Sequence, residues 1–178
     1  VAIKRKPKQK LISTIEIEVA IAELFDVRKH IIVPNISWGF NSHEMDMALI
    51  AKTGFLKEIE IKISKSDFIK DFKKNHHHVD RFHRINQFYY AMPLYLYEKV
   101  KELIPEDAGI ITCNNIEYRS GFYVRATILR QATKIKDSRK LTVEEQLNIA
   151  RLGTMRIFKL KRKLIVLNND IKNLKIVK

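Results

Sequence analysis

The sequence predicts an α/β protein, a central mixed β-sheet flanked by helices. Three observations predict it. Patterned segments follow one another as helix, three strands, helix, strand, helix, strands, helix, an order that suits a sheet with helices packed outside it. The strand candidates are short runs rich in Ile, Val, Leu and aromatic residues, closed off by Gly, Pro or polar turns. The 178 residues hold no internal repeat and no glycine-rich linker, so a single domain with one core is expected.

Residues 1–10, VAIKRKPKQK, read as a solvated basic arm suited to a phosphate backbone, and the single domain then runs over residues 11–178. In LISTIEIEVAIAELFDVRK, Ser13 or Thr14 caps a helix and Glu16 to Glu18 fall in its first turn, where carboxylates suit the dipole. Ile17, Ala20, Ile21 and Leu24 recur at helical spacing and form its buried stripe. HIIVPNISWGF, residues 30–40, is extended but broken at Pro34, which fits an edge strand, and Trp38 beside Gly39 reads as a core anchor. Residues 43–52 and 55–63 are two further strands, with Lys52-Thr53-Gly54 as the turn of a hairpin between them.

Ser64 and Asp67 have the spacing of a capping box and open a helix. Phe68, Ile69 and Phe72 give it an apolar face, and Lys65, Lys70, Lys73 and Lys74 a basic one. NQFYYAM, residues 86–92, is a strand in which Tyr89 or Tyr90 must face inward, and Pro93 opens a helix to about Ile104. AGIITC enters another strand, and EYRSGFYVRATIL forms a hairpin. Thr142 with Glu145 starts a basic helix over about residues 142–163, and LIVLNNDIKNLKIVK either extends it or trails as a tail.

Charge narrows the partners. Lys and Arg number 34 against 20 Asp and Glu, a balance of +14, and so basic a surface calls for a polyanion. Nucleic acid, DNA or RNA, is preferred to a membrane surface, because no strongly amphipathic basic helix with an aromatic face stands out. No apolar run approaches the roughly 20 residues of a membrane-spanning helix. The single cysteine, Cys113, excludes an internal disulfide and a Cys-based zinc site. A reducing cytoplasm is the expected location.

The stretch EIEIKISKSDF, residues 58–68, is the least generic part of the chain. Residues two apart on a strand share a face and lie about 6.5 Å apart, so Glu58, Glu60 and Lys62 look one way while Ile59, Ile61 and Ile63 look the other. Charges on such a strand are costly unless they are paired, wet or bound to metal. In a favourable hairpin register Asp46 comes close to Glu60 with Lys62 beside them. Two carboxylates and a lysine suit a hard cation, Mg²⁺ or Mn²⁺. Such an ion lowers the pKa of a bound water and neutralises a scissile phosphate. The plain alternative is an exposed cross-strand ion pair of small energetic weight.

Asp46 followed by Glu60-Ile61-Lys62 resembles the PD-(D/E)XK nuclease superfamily, with Met45-Asp46 where the Pro-Asp usually stands. EIEIKISKSDFIKDFKK, then FYYAMP, then IPEDAGIIT, is similar to the MmcB-like DNA-repair nuclease family and related phage and plasmid proteins; the resemblance covers about residues 11–125. It implies a restriction-endonuclease-like core (αβββαβ) and a metal-dependent DNA nuclease, most simply an endonuclease. In that scheme Asp46, Glu60 and the Ile61 carbonyl hold Mg²⁺ or Mn²⁺, and Lys62 positions or activates the attacking water. Glu18, with Glu16 and Glu23 as rivals, is the extra metal contact from the first helix. Ser64, Lys65, Lys70, Lys73 and Lys74 touch DNA phosphates. A catalytically silent DNA-binding or recruitment module on the same fold is the alternative. One such site cuts one strand, so double-strand cleavage needs a homodimer or two encounters.

Several other residues have two readings. Glu44 and Glu58 share the parity of Asp46 and Glu60 and serve as second ligands or as outer ion-pair partners. His76, His77 and His78, with His83, fit a polar helix end or DNA-facing loop better than a zinc site, because consecutive side chains diverge. Tyr89, Tyr90, Tyr95 and Tyr97 either stack on bases or pack the core. Lys159, Lys161, Arg162 and Lys163 are either a phosphate clamp or a solvated helix face.

Overall fold

In the computed structural model the described residues are 11–36, 44–73, 83–118 and 121–176, with the backbone path alone for 71–73, 118 and 173–176. The basic arm, Trp38, Lys74 and the His76–His78 triplet therefore lie outside the described residues.

Helix α1 spans Thr14–Phe25, and Ser13 is its N-cap. The Ser13 hydroxyl accepts from the Glu16 amide while Glu16 accepts from the Ser13 amide, the reciprocal pair of a capping box. Strands β1 (Ile31–Ile36), β2 (Met45–Ile50) and β3 (Leu56–Ile61) follow as an antiparallel meander. Pro34 sits on β1, an edge strand of the sheet, where a missing amide is tolerated. The β2–β3 turn places Gly54 at φ 84°, a left-handed value that favours glycine.

Helix α2 (Lys65–Lys73) crosses to β4 (Ile85–Pro93), which runs parallel to β3. Helix α3 (Leu94–Val100) starts directly after Pro93 and ends in a 3₁₀ turn, Lys101–Leu103. β5 (Gly109–Tyr118) adds in parallel to β4, and β6 (Gly121–Arg130) returns antiparallel to it. The result is a six-stranded mixed sheet in the order β1-β2-β3-β4-β5-β6, flanked by helices as the element order predicts.

Helix α4, Val143–Ile176, is longer than the expected 142–163 and takes up most of the segment that the sequence left as helix or tail. Among the described residues it is anchored near its start. Ile149 and Leu152 are buried against the β1–β2 end of the sheet, and Gly153 lies where an added Cβ would come within 3.1 Å of Val33.

Three apolar clusters cover the sheet. On one face α1 packs Ile17, Ala20 and Ile21 against Met47, Ile59, Ile61, Tyr89 and Ala91. On the other, α4 covers Val33, Ala48, Ile50 and Leu56, while Phe68 of α2 and Leu96 and Val100 of α3 cover Tyr90, Met92 and Ile110. Tyr89 and Tyr90 thus both pack inward, on opposite faces, and base stacking is not open to either.

Gly109 shows why a glycine enters β5. A Cβ there would sit 2.2 Å from the Tyr89 ring and 2.8 Å from the Ala132 amide nitrogen. Cys113 is buried, which pushes its thiol up to about 12 and leaves it a packing residue.

Candidate functional site

The strand that raised the question sits between the two apolar patches of the second face. On β3, Glu58 lies opposite Ala48 of β2 and Phe88 of β4, and Glu60 lies opposite Tyr90. Glu58, Glu60 and Lys62 are 0%, 7% and 5% exposed. An exposed cross-strand ion pair is therefore overturned, because α2, α3 and α4 roof the neighbouring strands. Buried charges of this kind must be neutralised within the protein.

Part of that neutralisation is local to the end of β3. Lys62 Nζ donates to Glu60 Oε2 at 3.0 Å, as their shared parity predicts. The Lys62 amide donates to the Ala91 carbonyl and ties the end of β3 to β4. Asp46 completes the group from β2. Met47 pairs with Ile59 and Ala48 with Glu58, which brings Asp46, one residue before Met47, to the end of β3. Its carboxylate Oδ2 accepts from the Ile61 amide at 2.7 Å.

Electrostatics follow from this packing. Burial, then the charge of Asp46, pushes the Glu60 carboxyl up to about 8 against the pull of Lys62, with Glu58 adding to the rise. The first helix reaches the same region. Glu18 is also raised, chiefly by burial and in part by Asp46, while the Asn35 amide and Arg156 oppose the shift. Glu16 is instead spent on the α1 cap and Glu23 is exposed, which leaves Glu18 as the first-helix carboxylate nearest in influence to Asp46.

Two residues around Glu18 were not singled out from sequence. Asn35 Nδ2 donates to Glu18 Oε1 at 3.1 Å, and Arg156 of α4 donates to the Asn35 carbonyl. Asn35 holds a left-handed φ of 56°, a conformation asparagine tolerates better than most residues. Neither the turn of its backbone nor a partner so far along the chain has a signal in local sequence.

The remaining candidates spread outward. Ser64 is half-buried, and its hydroxyl accepts from the Asp67 amide at the start of α2. Lys65 and Lys70 are exposed, the side chain of Lys73 is not among the described residues, and Glu44 is exposed at the entrance to β2. Lys159, Lys161, Arg162 and Lys163 are all exposed on α4.

A hard cation bound mainly by two carboxylates fits Mg²⁺, which commonly keeps several waters and takes only one or two protein carboxylates. The pair Asp46–Glu60 meets that requirement in kind, with two carboxylates brought to the end of β2 and β3. Against it, among the described residues no group of three or more His, Cys, Asp or Glu side chains is placed to hold a metal. Lys62 also occupies Glu60, and Asp46 is engaged by the Ile61 amide.

Fold and cluster together define an α/β protein with a buried acid–base group at one end of β2 and β3. No family model matches the sequence, and no curated protein matches it. Among solved structures, the SPO1766 protein of unknown function from Silicibacter pomeroyi is similar in fold, with a TM-score of 0.54 over 94% of this chain and 95% of that one, at 18% identity. Likeness at that level concerns the fold and carries no activity with it. No helix among the described residues is long and apolar enough to cross a membrane.

Proposed function

We propose that this chain is a DNA-binding or recruitment module on a restriction-endonuclease-like core. The observation that carries the reading is the excess of 14 positive charges, with lysines exposed at the start of α2, next to the acid–base group, and along α4. A surface of that sign binds phosphate backbones by releasing counterions. The αβββαβ order supports the core assignment. The silent form is preferred because Glu60 is closed on Lys62, Asp46 is closed on the β3 backbone, and no three-ligand group stands among the described residues.

A second reading, a Mg²⁺- or Mn²⁺-dependent DNA nuclease, has a specific observation in its favour. Asp46, Glu60 and Lys62 are all present, and the charge of Asp46 is close enough to raise the Glu60 carboxyl. In that reading Asp46, Glu60 and the Ile61 carbonyl hold the ion, Glu18 stands behind them, and Lys62 orients or deprotonates water. A bound divalent ion supplies charge neutralisation at the phosphodiester.

One experiment separates the two. Supercoiled, linear duplex and single-stranded DNA are incubated with the protein and Mg²⁺ or Mn²⁺, beside Glu60→Ala, Lys62→Ala and an EDTA control, and binding is followed in parallel across a salt series. Salt-sensitive binding with intact DNA supports the module. Metal-dependent cutting that is lost in both variants installs the nuclease in its place. Absence of binding at low salt overturns both.

A further inference from the structure

The distal half of α4 is the largest feature that neither reading uses. Every described residue from Ile157 to Lys172 is exposed, yet many are large and apolar. Ile157, Leu160, Leu164, Leu167 and Ile171 are between 50% and 59% exposed. Their spacing alternates three and four, and the sequence continues it to Leu174. That is the heptad pattern of a coiled-coil seam, with Ile157, Leu164 and Ile171 at a and Leu160, Leu167 and Leu174 at d.

We propose that this segment pairs with the same segment of a second copy of the chain, as a parallel two-stranded coiled coil. Residue types at the seam choose the strand number and direction, since Ile at a with Leu at d favours parallel dimers. Lys159, Lys161, Arg162 and Lys163 fall at c, e, f and g, so the basic face stays outside the seam. In a parallel register Lys163 at g faces Asn168, so no like charges meet there. Arg156, which would meet Lys161 as a like charge, is instead turned to the Asn35 carbonyl of its own domain.

Area supports the same occupant. At about 100 Å² of apolar surface for each buried Leu or Ile side chain, the five described seam residues of two helices bury about 1,000 Å². With the e and g flanks this reaches the ~1,200–2,000 Å² of a stable interface. A helix gains most of its stability from packing an apolar face, and beyond Arg156 the described part of α4 has no such packing within its own domain. A lipid surface suits a helix with one broad apolar face. Here polar residues at e and g, Lys161 and Asn168 on one side and Lys163 and Asp170 on the other, close in on the seam.

Because α4 leaves the domain at Gly153–Arg156, parallel pairing sets both domains at the same end of the coil. The inference is independent of whether the Asp46–Glu60–Lys62 group is silent or catalytic.

The test is the mass of the full chain in solution at micromolar concentration, by light scattering or sedimentation equilibrium. Twice the chain mass is expected. Leu160→Glu with Leu167→Glu should return the protein to a monomer while the unfolding transition of the globular domain is retained. Val166→Glu, at c, should remain a dimer. An Ile171→Cys variant should form an intermolecular disulfide with itself, which an antiparallel pair, with residue 171 far from its counterpart, does not allow. A monomeric wild type overturns the proposal, and if that monomer binds anionic vesicles the segment belongs to a membrane surface instead. A dimer that survives the double substitution, or a mass of three or more copies, also overturns it.

Discussion

Glu60 is the residue at which the physical chemistry is sharpest. Its carboxyl is raised from 4.5 to about 8 by burial and by Asp46. A raised carboxyl favours the folded state while it is protonated, so its contribution is complete below pH 4.5 and drains away as the pH climbs through 8. Thermal stability should therefore decline from about pH 5 to pH 8. Glu60→Gln, which keeps an oxygen for Lys62, should flatten that decline when melting is followed across the pH series; an unchanged slope would show that Glu60 is not the group titrating. Parity on β3 told which way Glu58, Glu60 and Lys62 point, because alternation is local. How deeply they are buried was not readable, since the roof comes from Phe68 and Leu96 on one side and from Ile149 and Leu152 on the other. A second residue-scale prediction concerns Gly109. Replacement by Ala drives a methyl into the Tyr89 ring and toward the Ala132 backbone, and overpacking of this kind typically costs about 1–3 kcal/mol. Chemical denaturation should show a lower midpoint with an unchanged slope.

At the scale of elements, caps were readable and long-range straps were not. Ser13 with Glu16 and Thr142 with Glu145 carry their signal within four residues. Both boxes form, with Thr142 Oγ1 accepting from the Glu145 amide and Glu145 Oε2 accepting from the Thr142 amide. Residues 131–141, by contrast, carry no periodic pattern. Ile135, Arg139 and Leu141 nonetheless donate backbone hydrogen bonds to Asn86, His83 and Gly54, lacing the segment between β6 and α4 across the sheet ends. Arg139 adds a bidentate contact to Glu145 at 2.8 and 2.7 Å, and that hydrogen bonding first, helped by the Thr142 amide, holds the Glu145 carboxyl down to about 2. A lowered carboxyl stabilises the fold above its unfolded value and loses that effect as the pH falls toward 2. Thr142→Ala should cost about 1 kcal/mol, or about 2–4 °C in a chain of this size. Arg139→Gln should lower the melting temperature at pH 7, and the gap from wild type should close as acid is added from pH 4.5 down to 2. A gap that stays constant would place the effect of Arg139 in its contact with the Lys140 carbonyl.

For the whole molecule, net charge was available from composition, but its distribution over the surface required the fold. Among the described residues, two basic regions are candidate tracks for the proposed DNA partner. Lys65 and Lys70 lie on α2, just past the end of β3, whereas Lys159 and Arg162 lie on the part of α4 that stands clear of the sheet. Substituting either pair with Ala leaves buried packing untouched, so a change in binding reports phosphate contacts. Each lost contact should reduce the slope of log K against log salt by about 1. Were DNA to cross the sheet end near Asp46 and Glu60, Lys65→Ala with Lys70→Ala should lower the slope by about 2, with the α4 pair nearly neutral. The reverse result would place the nucleic acid along α4, away from the acid–base group, and would leave that group as an internal ion pair that secures the ends of β2 and β3. Two carboxylates beside a phosphate backbone would repel it, but Glu60 is closed on Lys62 and raised in pKa, which removes its share of that repulsion near neutral pH. The α2 track is therefore the expected outcome, and its margin over the α4 track should shrink as the pH rises past 8 and Glu60 ionises.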